Sequence, residues 1–128
     1  MICYLNFGYP TIADGVHFAD LYVKAGCHSI QIDLPSRDPY LENAMIKERM
    51  AYCLAHEPDY EAYFEGIRQV RRAHPDIQLV FMVYENIIEE LGTQKIIDFC
   101  KEMDMEQITY VGLGLSLIHI SRMMKVAQ

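Results

Sequence analysis

Residues 77–83, Ile-Gln-Leu-Val-Phe-Met-Val, are apolar almost throughout, and no other feature restricts the fold of this chain so tightly. A short apolar run without alternation reads as a strand covered on both faces, which is the habit of parallel sheets. Parallel strands need crossovers of a dozen or more residues, most often helical. The rest of the chain supplies them. Residues 2–7, Ile-Cys-Tyr-Leu-Asn-Phe, read as a strand ended by the turn signal Gly8-Tyr9-Pro10. Thr11 suits an N-cap for a helix striped by Ile12, Val16, Ala19 and Val23 and stopped by Gly26. Residues 29–34 alternate, with Ile30, Ile32 and Leu34 on one face and Gln31 and Asp33 on the other. A polar loop over 35–43 leads into helical spacing over 44–54 and 60–73, broken at Pro58. The second of these helices opens with Glu57, Asp59 and Glu61 and closes with Arg68, Arg71 and Arg72, the order the helix dipole favours. A further helix is predicted over 93–103 and a last strand over 107–111.

Strands alternate with helices and no hairpin signal joins two of them, so the fold class is α/β, with parallel βα repeats and right-handed crossovers. Four strands in about 112 residues match the repeat length of a (β/α)8 barrel, which takes about 250 residues to close. The chain has 128. It is therefore either a small open α/β sheet or the N-terminal half of a TIM barrel. A net charge of -7, with no basic cluster beyond Arg68, Arg71 and Arg72, sets aside nucleic acid as a partner. The apolar stretches are too short to span a bilayer, and the opening segment has no basic start or unbroken apolar core, so no membrane role is expected and a cytoplasmic location is. Cys3, Cys27, Cys53 and Cys100 lie too far apart for a CxxC pair or a zinc knuckle and are expected as buried thiols. The histidines are expected at the surface and the methionines in the core. No metal set is visible.

Parallel α/β proteins build their sites at the C-terminal ends of strands, which singles out Asn6, Gln31, Asp33, Tyr84, Glu85, Asn86 and the loop 35–42. Gln31 and Asp33 share a face, with side chains expected about 7 Å apart. One orienting amide and one titratable carboxylate suit general acid/base work. The alternative is structural, with Asp33 accepting loop N–H groups or pairing with Arg37. Gly112-Leu113-Gly114 is too short a signal for a phosphate cradle.

Tyr4-Leu5-Asn6-Phe7-Gly8-Tyr9-Pro10, Ala25-Gly26-Cys27 leading into Ile30-Gln31-Ile32-Asp33-Leu34-Pro35-Ser36-Arg37-Asp38-Pro39, then His74-Pro75-Asp76-Ile77 and Met82-Val83-Tyr84-Glu85-Asn86, resemble the first half of the tryptophan synthase alpha chain family. The likeness runs from residue 2 to about residue 112 and is most specific over 25–39. It implies a (β/α)8 barrel that cleaves indole-3-glycerol phosphate to indole and glyceraldehyde 3-phosphate. It also implies a pyridoxal-phosphate beta chain as partner, with no cofactor on the alpha chain itself. The retro-aldol step delivers a proton to indole C3 and removes one from the glycerol hydroxyl, hence two placed carboxyls. The family's strand-two Glu matches Gln31, and its second carboxylate, in an Asp-Gly-Pro turn, matches Glu42. Asp33, two residues beyond Gln31, joins them as a catalytic candidate, with Tyr84 and Asn86 as substrate-binding candidates. Asp38 and Pro39 match the family's Asp-Pro in the loop that packs on the beta chain, while Ser36 and Arg37 replace its usual Phe-Ser.

The family's phosphate-binding glycines and serine belong to its second half, so the chain by itself is expected to be inactive and, with bare sheet edges, to self-associate. Residues 1–114 are assigned to the half-barrel. Residues 115–128, which match nothing in the family, are assigned to a tail resembling translated adapter sequence. Two further readings stay open: a non-catalytic partner or regulator of a beta chain, which Gln31 favours, and another phosphate-sugar TIM-barrel protein that shares only the fold. On the first of all these readings, Gln31→Glu is expected to restore a titratable group.

Overall fold

The computed structural model describes residues 2–105 and 107–112. β1 (Ile2–Asn6), β2 (Ser29–Asp33), β3 (Gln78–Tyr84) and β4 (Gln107–Val111) form one sheet in the order β1-β2-β3-β4, every neighbouring pair parallel. Between the strands run α1 (Ile12–Lys24), α2 (Ala44–His56), α3 (Tyr60–Ala73), α4 (Glu85–Leu91) and α5 (Thr93–Glu102). Each strand lies beside its predecessor. That is the order of a barrel wall, whereas a doubly wound sheet reverses its order at a switch point.

The helices begin where the sequence supplies acceptors. Thr11 accepts from the Asp14 N–H at 3.1 Å, Asn43 from Ile46 at 2.9 Å and Asp59 from Glu61 at 3.0 Å. Each such cap is worth about 1 kcal/mol. Past the end of α1, Gly26 takes φ +97°, a conformation in which a side chain is strained.

Parallel partners in register share a face, so Leu5, Ile32 and Phe81 form one row and Asn6, Asp33 and Met82 a row on the opposite face. The first face is the core. Leu5, Phe7, Ile30, Ile32, Leu34, Leu79, Phe81 and Val83 are all buried there. Phe99 of α5 packs on Phe64 of α3, ring centroids 4.4 Å apart, and on Phe81 of β3 at 5.7 Å. Gly66 of α3 permits close packing on α1 and on Phe7 just past β1, because a Cβ there would lie 2.5 Å from Ile12 Cγ2 and 2.9 Å from the Phe7 ring. The second face is open at its edges: Ile2 and Tyr4 are 62% and 65% exposed, and Gln107 and Thr109 are exposed as well. The apolar run of β3 led us to expect two covered faces. Leu79, Phe81 and Val83 meet the helices, while Val80 and Met82 point to the side that becomes the interior when a barrel wall closes.

Two expectations need correction. Cys3 and Cys27 are joined in a disulfide and are not separate thiols. Parallel pairing sets Cys3 opposite Ile30, which brings the residues leading into β2 to the start of β1, and the Cys3 and Cys27 Cα atoms lie 6.5 Å apart. Sequence spacing hid a contact that strand pairing creates. Cys53 and Cys100 are buried free thiols, pushed up by burial to about 11 and about 12. The stretch after β3, where only a strand end at 84–86 is expected from the sequence, forms α4, separated from α5 by Gly92 at φ +93°. The assigned tail 115–128, His119 and the last two residues of Gly112-Leu113-Gly114 lie outside the described residues. Among the described residues no helix is long and apolar enough to cross a membrane.

Candidate functional site

β1, β2 and β3 bring Asn6, Asp33 and Met82 side by side at the C-terminal end of the sheet. Gln31 lies two residues earlier on the face of Asp33. Asp33 is only 8% exposed, and both of its oxygens are held. Gln31 Nε2 donates to Oδ1 at 3.1 Å and Asn6 Nδ2 to Oδ2 at 3.4 Å. The Gln31 amide also donates to Met82 Sδ at 3.3 Å. Gln31 and Asp33, expected about 7 Å apart from strand geometry alone, therefore touch. The long glutamine side chain leans along the strand and closes the gap.

Burial pushes the Asp33 carboxyl from its ordinary 3.8 up to about 6; the Gln31 hydrogen bond opposes that rise and the negative charge of Glu42 adds to it. Among the described residues no cation is paired with it. Arg37, the counterion considered from sequence, turns away: its Nε donates to Glu90 Oε1 at 2.8 Å and its Nη2 to the Pro58 carbonyl at 3.1 Å.

A second cluster sits over the end of β3. The Tyr84 hydroxyl donates to Glu42 Oε1 at 3.0 Å, and the Tyr40 ring meets the Tyr84 ring edge-on with centroids 5.7 Å apart. Burial, with Glu42 beside it, pushes the Tyr84 phenol above its ordinary range. Ser36 closes the loop onto α4, donating through Oγ to Asn86 Oδ1 at 2.9 Å and accepting from the Asp38 N–H at 3.1 Å. Asp38 is exposed and Pro39 is buried, so only Asp38 of that pair offers a side chain to a partner.

The structure thus brings Gln31, Asp33, Glu42 and Tyr84 to one end of one face, with Asn86 beside them on the loop latch. Asn6 was among the strand-end residues and Tyr40 lay within the loop 35–42 without being named, while Met82 was not among the site candidates. Parity could have found Met82, since it occupies the strand position paired with Asp33; Tyr40 is placed by loop geometry that no periodicity encodes. His17, His28 and His56 are exposed, and His74 Nε2 lies 2.5 Å from Asp20 Oδ1. Among the described residues no three His, Cys, Asp or Glu side chains converge on a metal position. A groove between α3 and α5, lined by Phe64, Arg68, Lys95 and Phe99, lies on the helical side of the sheet, and its cations are already paired with Glu102 and Glu61.

The family model described as "Tryptophan synthase alpha chain" matches residues 1–115. This chain belongs to the tryptophan synthase alpha chain family. The tryptophan synthase alpha chain of Halorhodospira halophila is 34% identical over 92 residues, covering 72% of this chain and 34% of that protein. The Flavobacterium psychrophilum alpha chain is 28% identical over 114 residues, covering 89% of this chain and 45% of its own length. The crystal structure of tryptophan synthase subunit alpha from Legionella pneumophila superposes with TM-score 0.88 at 24% identity, over 98% of this chain and 48% of that one. The chain spans less than half the length of these relatives. Together with the strand order, these matches place its fold as the N-terminal half of a TIM barrel.

Proposed function

We propose that the chain supplies the N-terminal half of a lyase site that cleaves indole-3-glycerol phosphate to indole and glyceraldehyde 3-phosphate in tryptophan biosynthesis. The observation that carries this reading is a pair of carboxyls on independent supports at the C-terminal end of the wall. Asp33 is on β2 and Glu42 on the following loop, close enough for the charge of one to act on the other. The reaction needs such a pair. Protonation of indole C3 makes the ring an electron sink. Removal of the glycerol hydroxyl proton then forms the aldehyde carbonyl, while the electrons of the broken carbon–carbon bond return to the ring. One proton is given and one taken, so the sum is neutral.

In this reading Tyr84 steadies Glu42 through its 3.0 Å hydrogen bond, and Asn86, fixed by Ser36, contacts substrate. The phosphate grip belongs to the second half of the barrel, so residues 1–114 form an incomplete site, and 115–128 are assigned to a tail outside the family likeness. No cofactor takes part on this chain. Pyridoxal phosphate would reside on a beta chain docked beside Asp38, in a cytoplasmic complex. The test is indole release from indole-3-glycerol phosphate by the full-length gene product, expected clearly above a buffer blank. One observation favours a second reading: Gln31, an amide, stands where the family has its strand-two Glu. A full-length product that is inert yet captures a beta chain, and loses that capture in Asp38→Ala, would establish a non-catalytic partner instead.

A further inference from the structure

A glutamine exchanges no proton near neutral pH, and the Nε2 of Gln31 is engaged twice, by Asp33 Oδ1 at 3.1 Å and Met82 Sδ at 3.3 Å. Position 31 is therefore built to hold something. What it holds is a carboxyl buried to 8% exposure with no cation of the described residues beside it. Buried carboxylates that serve structure are paired with charge or with several N–H donors of the backbone. Asp33 has neither; two neutral side-chain amides, one from β1 and one from β2, take one oxygen each. This fixes the orientation of the carboxyl without cancelling its charge.

We propose that Asp33 has taken over the strand-two proton transfer of this site, with Asn6 and Gln31 as positioning residues that each fix one of its oxygens. The proposal rests on the lyase reading above. The groups facing Asp33 are Asn6 from β1, Gln31 from β2, Met82 and Tyr84 from β3, and Glu42 from the loop beyond β2; among the described residues the charge in that set is that of Glu42. Burial and Glu42 hold the carboxyl near 6, so it is protonated in mild acid and gives up its proton close to neutrality. Protonated Asp33 gives its proton to indole C3 and Glu42 accepts the hydroxyl proton. Solvent then returns a proton to Asp33 and takes one from Glu42, restoring both. The same geometry reverses the expectation for Gln31→Glu, because a second carboxylate at position 31 would stand within hydrogen-bonding distance of the first. Like charges so close cannot both ionise easily.

The experiment is a pH profile of indole release by the full-length gene product and its Asp33→Asn, Gln31→Glu, Gln31→Leu and Asn6→Ala variants. Asp33→Asn should lower kcat by about 100- to 10,000-fold with KM little changed. Both Gln31 variants should lose less than Asp33→Asn and move the alkaline limb of the kcat profile to higher pH, since each removes a hydrogen bond that favours the ionised carboxyl. Asn6→Ala should move it in the same direction. Activity of Asp33→Asn within threefold of the parent would overturn the proposal and leave the lyase reading standing. Should Asp33→Asn fail to fold, an alkaline limb unmoved in both Gln31 variants would overturn it instead. A parent that folds but releases no indole would remove the lyase reading and the proposal with it.

Discussion

Replacing Asp33 with asparagine should make the full chain more stable at neutral pH, although it removes a side chain that we assign to the chemistry. Burial raises the Asp33 carboxyl from 3.8 to about 6. A raised value means that the folded chain holds the proton more tightly than the unfolded chain. The stabilisation from that proton is fully present below the unfolded value and is lost as pH rises through the folded one. At about 1.36 kcal/mol per unit, ionised Asp33 costs about 3 kcal/mol above pH 7 and roughly half of that near pH 5. Asparagine keeps the shape, and either neighbouring amide can turn its oxygen toward the new NH2 group. Urea unfolding of the parent chain and the variant at pH 5 and pH 8 measures the difference. The variant should gain about 3 kcal/mol at pH 8 and roughly half of that at pH 5. A variant equally or less stable than the parent at both values would refute the reasoning, because Asp33 would then be a satisfied structural carboxylate.

Three other outcomes are expected. The unreduced, denatured chain should show two reactive thiols of its four cysteines, and reduction of Cys3–Cys27, which closes a 24-residue separation, should cost about 3 kcal/mol in urea unfolding. Gly66→Ala should destabilise by about 1–3 kcal/mol, because the added methyl meets Ile12 Cγ2 at 2.5 Å between packed helices; an unchanged urea midpoint would show that α1 and α3 have room to part. Because β1 and β4 are the edges of the sheet, the 128-residue chain by itself should scatter light as a dimer or larger species at micromolar concentration, where a clean monomer would show that the edges are covered.

Most of the wall was legible because its signals are local. Alternation over β2 fixed which of its residues share a face, Pro58 divided α2 from α3, and Thr11 marked the start of α1. α4 escaped because seven residues carry barely two turns, too few for a period to stand out from the end of an apolar strand. The disulfide escaped because it depends on which strands pair, and Cys3 and Cys27 are brought together only when β1 lies beside β2. The site residues were named by position at strand ends, but their partners were not readable: Arg37 has a choice of carboxylates, and only the packed loop directs it to Glu90 and away from Asp33. The contact of Gln31 with Asp33 was likewise a matter of side-chain direction, which parity constrains to a face but not to a partner.

On the proposed reading, these residues form half of a site whose other half is needed to hold substrate. Indole release from indole-3-glycerol phosphate by the 128-residue chain alone tests it most directly, since the chain carries Asp33 and Glu42 and its described residues form four strands of wall. No indole above a buffer blank is expected at any pH from 5 to 9. Turnover by the isolated chain, abolished in Glu42→Gln, would contradict it.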